Sequence, residues 1–378
     1  MRASRWQVDR LVREVALLNT RALPRADYFR EVAARLRRVV DADATCWHTL
    51  DPETRLMTSD SPEELIDSGV FTPATAAHAG AGIVASEYLV EDVNTFAALA
   101  RRRMTAGTLR AATNGHPERS TRYRDVLEPA GIPFELRAAF VSRGRTCGAV
   151  HVAGRDDQTD FSDADVAALA RIAGTVAEGI RTTLRFDAAR HGRGPARPGM
   201  VVLGPRDEVE MITAPARELL AELRSTIVAE SSESPPTALR ALAAAARTGS
   251  ASGAVAVPGR SGWITLDASL PEAAGGRVAV VIDRAAGPQS TALRLETYGV
   301  TAREREVAAL VAQGCSNSEI AAALVVSPYT VQDHMKSLFE KTGVSSRREL
   351  VARIFLDDYL PALTRQAPLD ERGGFANA

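Results

Sequence analysis

The chain has 378 residues, 45% hydrophobic and 25% charged, with a formal net charge of −1. This length favours two or three soluble domains over a single core. The charge balance excludes a global electrostatic pull toward nucleic acid, so any DNA affinity has to come from a local surface. No apolar run approaches the roughly 18 residues needed to span a bilayer, and Met1–Arg10 lacks the apolar stretch of a secretion signal. The expectation is a cytoplasmic protein with no membrane association. Cys46, Cys147 and Cys315 are far apart and share no CxxC spacing, which argues against a disulfide framework and a structural zinc site.

Along the chain, Val8, Leu11, Val12, Val15 and Leu18 recur at helical spacing, as do Phe29, Val32, Leu36, Val39 and Val40 within Tyr28–Val40. Ala44–Leu50 reads as a strand, followed by a turn at Asp51-Pro52. Leu136–Ser142 and Thr146–Ala153 are strand-like and joined by Arg143-Gly144-Arg145. Ser162 then suits an N-cap, with Asp165 near the positive end of the helix dipole. That helix aligns Val166, Leu169, Ala173, Val176 and Ile180. The stripe is short for a coiled coil, and packing on its own sheet is preferred to a dimer seam. The order of elements, and the run from Glu91-Asp92-Val93-Asn94 through Glu118-Arg119-Ser120 to Cys147-Gly148-Ala149, resembles a GAF-type sensor domain over about residues 20–187. The lysine-containing signature of cyclic-nucleotide-binding GAF domains is absent.

His191–Gly199 is rich in Gly, Pro and Arg and reads as a linker. Beyond it, strands are expected at Met200–Leu203 and Glu208–Ile212, and helices at Pro215–Leu223 and Thr237–Arg247. Three more strands follow at Ser252–Val257, Trp263–Ala268 and Arg277–Ile282. Two strands, helices and three strands resemble a PAS-like domain.

The densest signal lies between Tyr298 and Phe355. Thr301-Ala302-Arg303-Glu304 fits a capping box, followed by an apolar face of Val307, Leu310 and Val311 and by Gly314 at the helix end. Ser316 or Asn317 caps a second helix carrying Ile320, Ala321 and Leu324. Ser327-Pro328 is an N-cap with proline at the first helical position. The third helix buries Val331, Met335 and Leu338, and Gly343 ends it. A fourth helix beginning near Ser345 or Ser346 buries Leu350, Val351 and Ile354. Two short helices, a brief turn and a third helix with one polar face form a helix-turn-helix. The run Leu324-Val325-Val326-Ser327-Pro328-Tyr329-Thr330-Val331 is joined by Thr301 to Val307, Gly314, Ser316 to Ala321, His334, Lys341 and Gly343-Val344. Together they resemble the LuxR-type DNA-binding domain over about 60 residues.

The resemblance implies that the third helix enters the major groove, presenting Tyr329, Thr330, Gln332, Asp333, Lys336 and Ser337. Gln332 has the amide geometry for adenine, and Lys336 can donate to guanine or phosphate. Many members of the family carry a basic residue at the position of Gln332. Ser327, Thr330 and Lys341 suit phosphate anchoring, together with free N–H groups at the helix start. Arg347 and Arg348 add charge near the fourth helix. His334 is expected to be a packed core histidine and Asn317 a helix cap. The chain's two lysines, Lys336 and Lys341, both fall here. From Leu293 to Leu356 there are eight Lys/Arg against seven Asp/Glu, so one copy should bind weakly. The resemblance implies a homodimer on paired half-sites, with the fourth helix at the contact.

The resulting picture is multidomain. A GAF-like α/β sensor domain (1–190) and a PAS-like domain (191–290) precede an all-α four-helix helix-turn-helix domain (293–360) and a disordered tail (361–378). Its function would be a transcription regulator that couples a signal to binding of double-stranded DNA. RNA polymerase and a small-molecule ligand are further candidate partners, and no cofactor is called for. No enzyme motif (P-loop, HExxH, GxSxG) is present. Cys46 and His48 share a face of a strand, where packing is preferred to catalysis. The spacing of Cys46, His48, His78 and His151 does not support haem or metal sensing. A sigma-factor-like promoter subunit would need an aromatic, basic promoter-melting segment upstream. The alternative function is a protein-interaction module whose DNA binding is lost or weak.

Overall fold

The computed structural model describes residues 5–351, apart from 22, 156–158, 190–196, 224–234, 250–253, 260–261, 271–274, 286–294, 296–297 and 313. Most of the expected linker, the tail after residue 360 and Ile354 therefore lie outside the described residues. The chain divides into two compact units, Met1–Arg284 and Ala285–Ala378.

The first unit opens with helices α1 (Arg5–Leu18) and α2 (Arg25–Leu36), which bury Leu11, Val15 and Leu18, and Phe29, Val32 and Leu36. The periodicity placed the second helix out to Val40. It stops at Leu36 because the N–H groups of both Val39 and Val40 turn back to the Leu36 carbonyl, each at 2.9 Å. Strand β1 (Ala44–Leu50) follows as expected. Residues 51–133, where the pattern gave only a turn, supply β2 (Met57–Ser61), α3 (Glu63–Asp67), α4 (Pro73–Tyr88) and α5 (Phe96–Arg101). They also supply the short β3 (Ala106–Thr108) and α6 (Leu109–Ala112).

The hairpin of β4 (Phe134–Ser142) and β5 (Arg145–Gly154) turns at Arg143 and Gly144, whose φ values are 52° and 75°. Two left-handed residues match the right-handed twist of the flanking strands. The strands form one antiparallel sheet in the order β2-β1-β5-β4-β3. Helix α7 (Asp163–Ala189) closes this region. Ser162 and Asp165 cap it reciprocally, the Ser162 N–H donating to Asp165 Oδ2 at 2.8 Å and the Asp165 N–H to Ser162 Oγ at 3.4 Å. Val166, Leu169, Ala173, Val176 and Ile180 are all buried, and α7 packs on β4 and on α1. The stripe serves the chain's own core, which is the reading preferred over a dimer seam. A Cβ on Gly179 would lie 1.9 Å from the Tyr28 hydroxyl, so a side chain there would force Tyr28 to move.

Gly199–Leu203 (β6), Val209–Ile212 (β7), Val255–Gly259 (β8), Gly262–Ser269 (β9) and Val278–Arg284 (β10) form a second antiparallel sheet, ordered β7-β6-β10-β9-β8. In both sheets the second strand flanks the first, which pairs with the fifth, then the fourth, then the third. Between β7 and β8 lie α8 (Ala214–Leu223) and α9 (Thr237–Thr248). Every residue from Ala238 to Ala245 is buried. Such all-round burial needs neighbours on both sides, and α9 has them: β9 and β10 of its own sheet, and β2 and α4 of the other. One apolar cluster consequently runs from Leu50, Met57, Val84 and Phe96 to Leu239, Leu242, Val201 and Val280.

Beside this core lies a buried charged cluster. Arg122 donates from Nε and Nη2 to the two Glu135 oxygens at 2.9 and 2.8 Å. Arg137 pairs with Glu87 at 2.6 Å and stacks on Phe96, 3.8 Å from the ring centroid. His151 Nε2 lies 3.4 Å from Glu135. Burial alone would raise the Glu135 carboxyl, but the charges of Arg122, His151 and Arg137 hold it down at about 2. Burial pushes His151 down to about 4. Removing one member of such a network strands the others as uncompensated buried charge. Glu135→Gln should therefore destabilise this unit by ~3–5 kcal/mol in a urea titration, and an unchanged midpoint would show that the network contributes nothing.

Candidate nucleic-acid interface

Among its described residues the C-terminal unit has the helices α10 (Ala302–Ala312), α11 (Asn317–Leu324), α12 (Pro328–Thr342) and α13 (Arg347–Val351). Their ends follow local chemistry. The Thr301 N–H donates to Glu304 Oε2 at 2.6 Å and the Glu304 N–H to Thr301 Oγ1 at 3.2 Å, which is the expected capping box. Ser316 and Glu319 form another at α11. Ser316 is thus the cap, and Asn317 is the first helical residue, accepting from Arg347 at 3.4 Å. Ser327 caps α12 by accepting from the Thr330 N–H at 3.1 Å, and Gly343 ends it at φ 67°. Val307, Ala308, Val311, Ile320, Ala321, Val331, Met335, Leu338 and Leu350 form the core.

At 100° per residue, Val331, Met335, Leu338 and Thr342 lie on one side of α12, all buried. Tyr329, Gln332, Asp333, Lys336 and Glu340 fall within an opposite arc of roughly 100°, all exposed. The helix is about 22 Å long, and its outward face is polar apart from the Tyr329 ring, which is 80% exposed. The side chains of Tyr329, Gln332, Asp333 and Lys336 make no hydrogen bond or ion pair within the described residues.

The other predicted site residues are already engaged. Lys341 Nζ donates to both oxygens of Glu304 at 2.6 Å, and Ser337 Oγ donates to Glu304 Oε1 at 2.6 Å. Both lie on the flank of α12 facing α10, bonded to Glu304, whereas the residues of the outward arc are free of such bonds. The buried Glu304 carboxylate needs their donors. Ser327 and Thr330 are occupied in the cap, their hydroxyls 2.9 Å apart. His334 is half-buried at the edge of the apolar side rather than a core histidine. Arg347 is committed to the Cys315 carbonyl and to Asn317, while Arg348 is exposed. The Glu304 cluster was missed in the sequence, although Glu304 stood in the capping box and Lys341 was one of two lysines.

One backbone feature was also missed. Val325, between α11 and α12, has φ 55° and ψ 49° and is 90% exposed. A β-branched residue in the left-handed region is strained.

Residues 299–354 match the family described as bacterial regulatory proteins, luxR family. This segment is a luxR-family helix-turn-helix domain. Among known proteins, the chain is 52% identical over 56 residues to the transcriptional regulatory protein UhpA of Escherichia coli. It is 44% identical over 57 residues to the monoamine regulon transcriptional regulator of Klebsiella aerogenes. It is 42% identical over 86 residues to the probable transcriptional regulatory protein NarL of Mycobacterium tuberculosis. These matches cover 15%, 15% and 23% of this chain, and 29%, 25% and 36% of the relatives. A solved phage VqmA–DPO complex aligns with 49% of this chain and 88% of its own, at 17% identity and a TM-score of 0.18.

Two outcomes follow for the luxR-family domain. Burial alone would raise the Glu304 carboxyl, but hydrogen bonds from Lys341, Ser337 and Thr301 hold it down at about 2. A depressed carboxylate stabilises fully above its ordinary value of 4.5 and loses that contribution as pH falls toward 2. Glu304→Gln should cost ~1–3 kcal/mol at neutral pH, with the gap to wild type closing over that acid window, as followed by amide exchange at Val331 and Leu338. Val325→Gly should raise stability by ~0.5–1 kcal/mol, relief of the left-handed strain being partly offset by added chain entropy. A lower unfolding midpoint for this variant would contradict the strain.

Proposed function

We propose that the chain is a DNA-binding transcription regulator that couples a signal received by residues 1–290 to promoter binding by α12. The observation that carries this reading is the division of α12 into a buried stripe and an opposite arc. On that arc Tyr329, Gln332, Asp333 and Lys336 are exposed and unpaired. Side chains that the fold does not use, on a helix narrow enough for the major groove, are what direct base readout requires. Ser327 and Thr330 at the start of the helix lie where backbone N–H groups meet a phosphate.

The element order of residues 5–284 and the repeated sheet order support a GAF-like unit over 1–190 and a PAS-like unit over 191–290. Both would serve as sensors and not as catalysts. A soluble small-molecule ligand and RNA polymerase are the partners this role calls for, in the cytoplasm. With Lys341 held by Glu304, the outward arc carries Lys336 against Asp333 and Glu340, so one copy gains little from phosphate attraction. A homodimer on paired half-sites would supply the missing affinity, and sedimentation of a monomer both free and on operator DNA would remove that part of the reading.

The same acidic balance favours a second reading, an interaction module with lost or weak DNA binding. Titration of genomic fragments at several salt concentrations separates the two, because phosphate contacts release counterions and make binding salt-dependent. For a DNA reader, Lys336→Ala should weaken specific binding by ~1–3 kcal/mol in a gel-shift titration while leaving the fold intact. An unchanged affinity would take Lys336 off the interface.

A further inference from the structure

We infer that Asp333 is a specificity determinant that makes the chain select a cytosine in its bound sequence, an inference that rests on the DNA-reading role given to α12 above. The starting observation is where the domain leaves its acidic groups unpaired. Glu304 is held by Lys341 and Ser337, Glu306 by Arg303, Glu319 by Ser316 and Glu349 by Ser345. Among the described residues of α10 to α13, Asp333 and Glu340 are without such a partner, and both lie on the outward arc of α12. Asp333 lies about midway along the length of that arc, at its edge opposite Gln332. Gln332 precedes it, and Lys336 follows on the same arc without pairing to it.

An ionised carboxylate only accepts hydrogen bonds. In the major groove the bases present acceptors at guanine N7 and O6, adenine N7 and thymine O4, while the donors are the cytosine N4 and adenine N6 amino groups. A carboxylate set against an acceptor edge loses its hydration with nothing in return, in a groove whose walls are already anionic. Of the two donor edges, adenine places the N7 lone pair beside its amino group. That suits an amide such as Gln332 but sets the second carboxylate oxygen against an acceptor. Cytosine offers its amino group with no adjacent acceptor, so it is the base that accommodates Asp333. Lys336, with three donors and no acceptor, complements this by reaching O6 or N7 of the paired or neighbouring guanine. Asp333 thus acts more by exclusion than by attraction, since it penalises every pair that cannot donate to it.

The test uses the full chain and a randomised duplex library. The selected sequence is then titrated with each single base-pair substitution against wild type and Asp333→Ala. Asp333 is exposed, so the substitution leaves the core untouched, which far-UV circular dichroism verifies. Wild type should show one position where replacing cytosine costs about 5- to 150-fold in affinity. Asp333→Ala should flatten that position alone and bind unrelated duplexes more tightly, and Asp333→Asn should move the preference toward adenine. An Asp333→Ala profile identical to wild type at every position overturns the inference while leaving the DNA-reading role standing. Failure of wild type to bind any duplex at low salt defeats that role itself, and the inference with it.

Discussion

Glu304 joins two parts of the helical unit that the hydrophobic effect alone would leave loosely indexed. The buried stripe of α12 occupies a broad arc, and apolar contact is non-directional. A stripe of this kind fixes which side of a helix faces inward, but it tolerates rotation by some tens of degrees. Hydrogen bonds from Ser337 and Lys341 to one carboxylate on α10 remove that freedom, because both residues project from a single flank. The same carboxylate is also the reciprocal partner of the Thr301 cap. One acidic side chain therefore terminates the first helix of the motif and sets the azimuth of the third. The exposure of Gln332, Asp333 and Lys336 is a consequence of that setting.

The lock has an electrostatic cost. Using Lys341 to neutralise Glu304 leaves one of the chain's two lysines for the outward face. Arg303 and Arg347 are likewise turned to carbonyls of the domain itself, those of Leu324 and Cys315, where they tie the turn and the loop in place. Lys341, Arg303 and Arg347 thus serve contacts within the domain. Recognition by such a surface depends more on directional contacts and repulsive discrimination than on charge, and the carboxylate of Asp333 fits that balance.

How much of this could be read from the sequence depended on the range of the interaction. The capping box at Thr301, the proline start of α12 and the left-handed Gly343 are decided within a few residues and were legible, whereas at α11 the sequence left Ser316 and Asn317 as alternative caps. The strands at Ala44–Leu50 and around the Arg143-Gly144 turn were legible for the same reason, since alternation and turn chemistry are local. The route of residues 51–133 was not. Its elements are short, and β3 exists as a strand only because β4 lies alongside it. The Glu304–Lys341 pairing spans 37 positions in sequence, and no local pattern announces it. Val325 illustrates the reverse limit, because nothing in a Leu-Val-Val-Ser run announces that one of its valines must adopt a left-handed backbone.

The two units use charge in opposite ways, and the contrast bears on function. In the first, Arg122, Arg137, Glu87, Asp92 and Glu135 are buried and matched with one another. Their strength comes from a low-dielectric setting that forbids leaving any one of them alone. Such groups specify a unique packing, and the continuous core through α9 makes the packing of one sheet depend on the other. In the second unit, matched charges ring the core while the outward arc is left unmatched. The groups that hold these helices together, Glu304 with Lys341 and Ser337, are thereby separated from those left exposed on the outward arc. For α12 that separation is geometric: opposite sides of one helix, with Glu304 fixing the boundary between them.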